Sequence, residues 1–161
     1  MTKSNKPICV IMCGIPGSGK STFCHKIINE HSNFTCVSRD AIRLSMLKDG
    51  ENYFKHEKQV KKIFYNIIND KLNSNYNVIV DSTNISYNAI RYTLNHIIEQ
   101  CHIYIVYIDC SLETAICRNN KRSGLAHVPK KVIQRMYDNK YIIDDDSCDE
   151  RIIDIIHIDN D

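Results

Sequence analysis

The run Gly14-Ile15-Pro16-Gly17-Ser18-Gly19-Lys20-Ser21-Thr22 constrains this chain more than any other stretch. It follows an apolar, largely β-branched segment, Ile8 to Cys13, and precedes residues whose apolar members, Phe23, Ile27 and Ile28, recur at helical spacing. A buried strand entering a glycine loop that opens a helix is the context in which G-x-x-x-x-G-K-[ST] has physical meaning. Glycines let the main chain turn so that N–H groups converge on phosphate oxygens, and the helix N-terminus adds its positive dipole end. Lys20 brings a mobile charge to the β and γ phosphates, and the Ser21 hydroxyl can ligate Mg²⁺. Gly14, Pro16, Gly17, Ser18, Gly19, Lys20, Ser21 and Thr22 are therefore expected to bind ATP.

The same alternation continues along the chain. Strands are predicted at Phe34 to Ser38, Asn77 to Val80 and Ile103 to Ile108. The isoleucines of Arg151 to Ile158, between the acidic groups Asp144 to Asp146 and Asp159 to Asp161, read as a last strand or an amphipathic tail. Helical spacing appears after the polar turn at Arg39-Asp40, from Phe54 to Leu72, from Tyr87 to Gln100, after the N-cap candidate Ser111, and beyond Pro129. Strands alternating with helices imply an α/β fold with a mostly parallel sheet flanked by helices, the P-loop NTPase arrangement.

A length of 161 residues suits one domain, and 43% hydrophobic with 25% charged residues suits a soluble one. The formal net charge of +2 does not single out a nucleic-acid binder. The eight cysteines include no Cys-x-x-Cys pair and lie mostly in apolar runs, so they read as reduced core residues, with no structural metal expected. The polar start, Met1 to Pro7, is not expected to be a signal peptide, and no apolar run approaches the roughly 20 residues of a membrane span. A cytoplasmic protein is expected.

Three further groups carry chemistry. Asp81 ends the third strand, at the carboxyl edge where ligands of open α/β sheets collect, and a carboxylate there can hold Mg²⁺. A helix cap or turn is its other reading. Asp40 and Arg43 share one helical turn at the mouth of the second strand: a carboxylate can take a proton from an attacking hydroxyl, and a guanidinium can grip an acceptor's anionic group. A capping aspartate and a solvated arginine are the alternative. Arg118, Lys121 and Arg122, followed by Ser123-Gly124, form a basic segment suited to a lid whose charges meet a transferring phosphoryl group, or else a solvated turn.

Taken in order, G-I-P-G-S-G-K-S-T, S-R-D-x-x-R (Ser38 to Arg43), V-I-V-D-S-T-N (Val78 to Asn84), R-N-x-K-R (Arg118 to Arg122) and V-P-x-x-V-I-x-R-M-Y (Val128 to Tyr137) resemble the kinase domain of phage-type polynucleotide 5′-hydroxyl kinase, a P-loop kinase with an AAA-type ATP-binding domain. The resemblance implies an adenylate-kinase-like core with a short basic lid, and ATP and Mg²⁺ as its partners. By it, Asp40 is the general base, Arg43 grips the acceptor's phosphate, and Arg122, beside Arg118, is the lid arginine on the ATP phosphates. Ser21 and Asp81 would serve Mg²⁺, and Asp81, Thr83 and Asn84 would face the acceptor, a nucleic acid with a 5′-hydroxyl end. The phage protein's phosphatase motif, Asp-x-Asp-Gly-Thr, does not occur, so end repair is expected to stop at the kinase step. Kinases of nucleosides, sugars, antibiotics or tRNA-linked serine use the same phosphate machinery, and a non-catalytic ATP-binding regulator needs only the loop. An open channel walled by Lys58, Lys61, Lys62 and Lys121 would favour a polynucleotide.

Overall fold

The structure, a computed structural model, describes residues 6–143 and 149–161. The acidic group Asp144 to Asp146 and Cys148 therefore lie outside the described residues, as does most of the polar start. In chain order the elements are β1 (Ile8–Cys13), α1 (Lys20–Glu30), β2 (Phe34–Ser38), α2 (Arg39–Met46), α3 (Glu57–Asn73), β3 (Asn77–Asp81), α4 (Tyr87–His96), β4 (His102–Asp109), α5 (Leu112–Asn120), α6 (Lys130–Asp138) and β5 (Ile152–Asp159), with a single 3₁₀ turn at Gly124–Ala126.

The five strands form one sheet in the order β2-β3-β1-β4-β5, and every neighbouring pair is parallel. Residues alternate across β1. Cys9, Ile11 and Cys13 join Phe64, Ile68, Leu72, Ile90 and Leu94 on one face, while Val10 and Met12 join Cys24, Val106 and Ile108 on the other, with Phe23, Ile27 and Ile28 against them. Both faces are covered, which is why the central strands read as continuous apolar runs. Parallel strands also bring their carboxyl ends to one edge, where β1 opens into the glycine loop and β2 and β3 end at Ser38 and Asp81, directly paired in register.

Local chemistry sets the boundaries. Ser111 caps α5 as expected, accepting from Thr114 N at 3.2 Å. The helix predicted to Gln100 stops at His96, because Asn69 on α3 donates to the His96 carbonyl (2.8 Å) and accepts from Ile98 N (3.1 Å), holding the chain extended. The last isoleucine run is a strand, β5, and not a tail. Among the described cysteines, Cys117 departs from the core expectation: it is exposed on α5. No helix among the described residues is long and apolar enough to cross a membrane.

Candidate active site

The loop between β1 and α1 depends on two left-handed glycines, Gly17 (φ +88°) and Gly19 (φ +101°). A Cβ at Gly17 would also run into the Ala115 carbonyl at the start of α5, so the loop lies directly against that helix. Lys20 folds back over the loop and donates from Nζ to the carbonyls of Gly14 (2.7 Å) and Ile15 (3.0 Å). Ser18 Oγ is buried with no hydrogen-bond partner. A buried ammonium, an orphaned hydroxyl and a helix N-terminus gathered at one loop fit an anionic phosphate chain.

At the next strand end, Ser21 Oγ donates to Asp81 Oδ2 at 3.1 Å. A hydroxyl and a carboxylate at hydrogen-bond distance beside a phosphate loop are a donor set suited to Mg²⁺, an oxygen-seeking ion. Burial lowers the Lys20 pKa, opposed by the attraction of Asp81, and burial raises the Asp81 pKa against the pull of Lys20 and the Ser21 hydrogen bond. Burial thus disfavours both charges of the pair.

That asymmetry has a measurable sign. With its folded-state pKa raised, Asp81 favours folding fully only below its unfolded value of about 4, and the contribution is lost as pH rises through the folded value. In metal-free protein, Asp81→Asn is expected to raise the melting temperature at neutral pH, with the gain shrinking as pH falls toward about 4. A lowered melting temperature at neutral pH would mean that Lys20 and Ser21 outweigh the cost of burial.

Asp40 and Arg43 sit in the first turns of α2. Ser38, not Asp40, is the cap, accepting from Ala41 N, so Asp40 projects from the helix with its side chain 70% exposed. Its Oδ1 accepts from Tyr53 Oη (3.0 Å) and from Arg43 Nη1. Arg43 differs from the open guanidinium expected of a phosphate grip. It is buried, donates to Glu57 Oε2 from Nε (3.0 Å) and Nη2 (2.8 Å) and to Tyr53 Oη (3.2 Å), and lies over the rings of Tyr53 and Phe54. Burial opposes its charge, but the Glu57 and Tyr53 bonds prevail and hold its pKa above the usual value. Tyr53 and Glu57 were not singled out in the sequence; their spacing from Asp40 carries no periodic signal.

The basic segment divides. Arg122 is exposed on the turn after α5, near enough for its charge to help depress the Lys20 pKa. Arg118 is tied down, donating from Nη1 to the Asn160 carbonyl at 2.7 Å. Asn160 in turn donates from its side chain to the Ser18 carbonyl (2.7 Å) and from its backbone to the Asp109 carbonyl (2.8 Å), so the stretch after β5 straps the phosphate loop to β4 and α5. Nothing in the sequence pointed to Asn160, a contact between residues 142 positions apart.

In the loop after β3, the Thr83 carbonyl accepts from Gly14 N at 2.9 Å. Asn84, at φ +42°, is buried with both ends of its amide engaged: Nδ2 donates to the Met12 carbonyl (3.0 Å) and Oδ1 accepts from Thr93 (3.0 Å). It pins the loop after β3 to the end of β1 and is spent inside the fold, not turned toward an acceptor as expected. Lys58 and Lys62 are exposed on α3 just beyond Glu57, and Lys61 lies over the Tyr92 ring. A concavity of about 500 Å³ on α6, lined by Lys130, Lys131, Gln134, Arg135, Asp138 and Asn139, shares no residue with this site.

A parallel sheet in this order, with a phosphate loop leaving its central strand and a carboxylate on the adjacent strand end, is a P-loop kinase fold. Residues 9–140 match the AAA domain family, and the chain belongs to it. No curated protein matches it in sequence. Among solved structures, it is similar to a chain of the Pnkp1/Rnl/Hen1 RNA repair complex, with 28% identity and a TM-score of 0.77 over 86% of this chain and 45% of that one. It thus spans less than half the length of that relative. The resemblance carried by the motifs is met in three dimensions. A sugar kinase from Janibacter sp. HTCC2649 (18% identity, TM-score 0.65, 96% of this chain and 85% of that one) and a gluconokinase from Sinorhizobium meliloti 1021 (17%, 0.58, 97% and 84%) share the fold.

Proposed function

We propose that this protein is an ATP-dependent phosphotransferase acting on the 5′-hydroxyl end of a polynucleotide. The observation that carries this reading is Asp40: a carboxylate exposed on one side, fixed on the other by Tyr53 and Arg43, just past the end of the strand next to that of Asp81, which in turn adjoins the strand of the phosphate loop. A protein that only binds ATP has no use for a base held in that way. The likeness to a chain of an RNA repair complex, together with the kinase motifs, supports a nucleic-acid acceptor.

In this mechanism the loop amides and Lys20 hold the β and γ phosphates, and Asp40 takes the proton of the acceptor hydroxyl as its oxygen attacks phosphorus. The bond from the γ-phosphorus to the bridging oxygen breaks, and ADP leaves. Ser21 and Asp81 would hold Mg²⁺, whose charge offsets that of the phosphate oxygens. Arg43 keeps Asp40 oriented, and Asn160 with Arg118 keeps the loop in place. Arg122, exposed and close enough to act on Lys20, meets the charge that grows on the transferred group. Arg122→Ala is expected to lower kcat by ~10²-fold while ATP affinity changes far less. Equal losses in both would make Arg122 a ground-state ligand.

The test is incubation with γ-labelled ATP and Mg²⁺ against 5′-hydroxyl DNA, 5′-hydroxyl RNA, free nucleosides and a panel of sugars. Label on oligonucleotide ends is the expected result. A small-molecule acceptor is the second reading, favoured by the two sugar-kinase structures, which this chain spans for 85% and 84% of their lengths. Label on sugars or nucleosides alone would make that reading the right one.

A further inference from the structure

One side-chain cluster near the loop joins Asp81 to two cysteines that have no part in the reaction above. Cys24 lies one turn beyond Ser21 on α1, Cys36 lies on β2, and Asp81 ends β3. The two Sγ atoms and a carboxylate oxygen from these three elements all fall within 4.8 Å of one another. Cys24 is buried and Cys36 half-buried. The same Asp81 carboxylate accepts from Ser21 Oγ at 3.1 Å.

A tetrahedral thiophilic ion bonds sulfur at about 2.3 Å and carboxylate oxygen at about 2.0–2.2 Å, which sets its ligand atoms somewhat less than 4 Å apart. Closing from 4.8 Å to that spacing needs side-chain shifts of about 1 Å, within reach of a rotamer adjustment. Two thiolates select Zn²⁺ or Cd²⁺ over Mg²⁺, which demands oxygen ligands in an octahedron. A fourth position stays open to water.

We propose that Cys24, Cys36 and Asp81 form a binding site for a thiophilic divalent cation of the Zn²⁺ class, and that filling it withdraws Asp81 from Ser21 and inhibits phosphoryl transfer. Each ion bound replaces two thiol protons, which pass to solvent, and no oxidant or reductant takes part. Binding stands on the geometry alone; the inhibitory half rests on the proposed role of Ser21 and Asp81 in serving Mg²⁺.

The test uses the full chain, kept reduced, and Co²⁺ as a spectroscopic probe, because a thiolate–Co²⁺ site shows near-ultraviolet charge-transfer absorption and strong visible bands. The wild type is expected to bind one Co²⁺ with two-thiolate intensity. Cys36→Ala should weaken binding at least ~10-fold through the loss of one ligand, while Cys117→Ala, on an exposed cysteine remote from the trio, should not. Cys36→Val, which suits a strand, replaces Cys36→Ala if the latter does not fold. Co²⁺ bands unchanged in the Cys36 variant, or no bands in the wild type, overturn the site. In the transfer assay at saturating Mg²⁺ and ATP, added Zn²⁺ should inhibit the wild type and spare Cys36→Ala. Co²⁺ binding that depends on Cys36, combined with Zn²⁺ inhibition that does not, overturns the link through Asp81. If no acceptor is phosphorylated, the functional reading fails, and the Co²⁺ titration still decides the site by itself.

Discussion

Lys20→Ala is expected to remove phosphoryl transfer to every acceptor, by at least about 10³-fold in single-turnover rate, because the β and γ phosphates lose the only cation that the loop itself carries. The fold should survive. Lys20 is buried, burial lowers its pKa, and its Nζ bonds go to two carbonyls of the loop, Gly14 and Ile15, and not to a core partner. Taking away a buried charge relieves a desolvation cost, so the melting temperature of the nucleotide-free protein should hold or rise. Lys20→Met, which keeps the apolar stem, separates charge from packing and should be as inactive as the alanine variant. Turnover within tenfold of wild type in either pure variant would place the chemistry somewhere other than this loop.

How far the sequence reached depended on whether a contact leaves a local trace. β1 and the loop were readable because strand burial, glycine spacing and the helix start all lie within about a dozen consecutive residues. β2 and β3 were readable for the same reason, and their parallel pairing followed from the intervening helices. The α4 end was not, because Asn69 acts on it from α3. The ion pair of Arg43 with Glu57 and the strap from Asn160 to Ser18 escaped too, since each joins two different elements with no periodic mark, the second across 142 positions. Asn84 shows the reverse case. Its motif position suggested a ligand contact, yet its left-handed backbone and buried amide make it a clamp between two strand ends.

The acceptor half of the site can be separated from the ATP half at Asp40. Asp40→Asn keeps an oxygen to accept from Tyr53 and Arg43, so the local structure should persist, but the amide cannot take a proton. ATP should bind with little change, while transfer to a 5′-hydroxyl end falls by about 10²–10⁴-fold. Arg43 then tells what kind of support the base receives. Its bonds to Glu57, Tyr53 and Asp40 make it a positioning residue, so Arg43→Gln should lower kcat alike for a nucleoside and for its 3′-phosphorylated form, with KM little moved. Alanine is the poorer probe: it leaves Glu57, only 24% exposed, with Arg39 as its remaining ion-pair partner and empties a buried position, and would mix destabilisation into the kinetics. A rise in KM confined to the 3′-phosphorylated acceptor would instead mean that the guanidinium leaves Asp40 to grip the phosphate during turnover. In that case Glu57 should become the residue that holds Arg43 in place, and Glu57→Gln should reproduce the same KM selectivity.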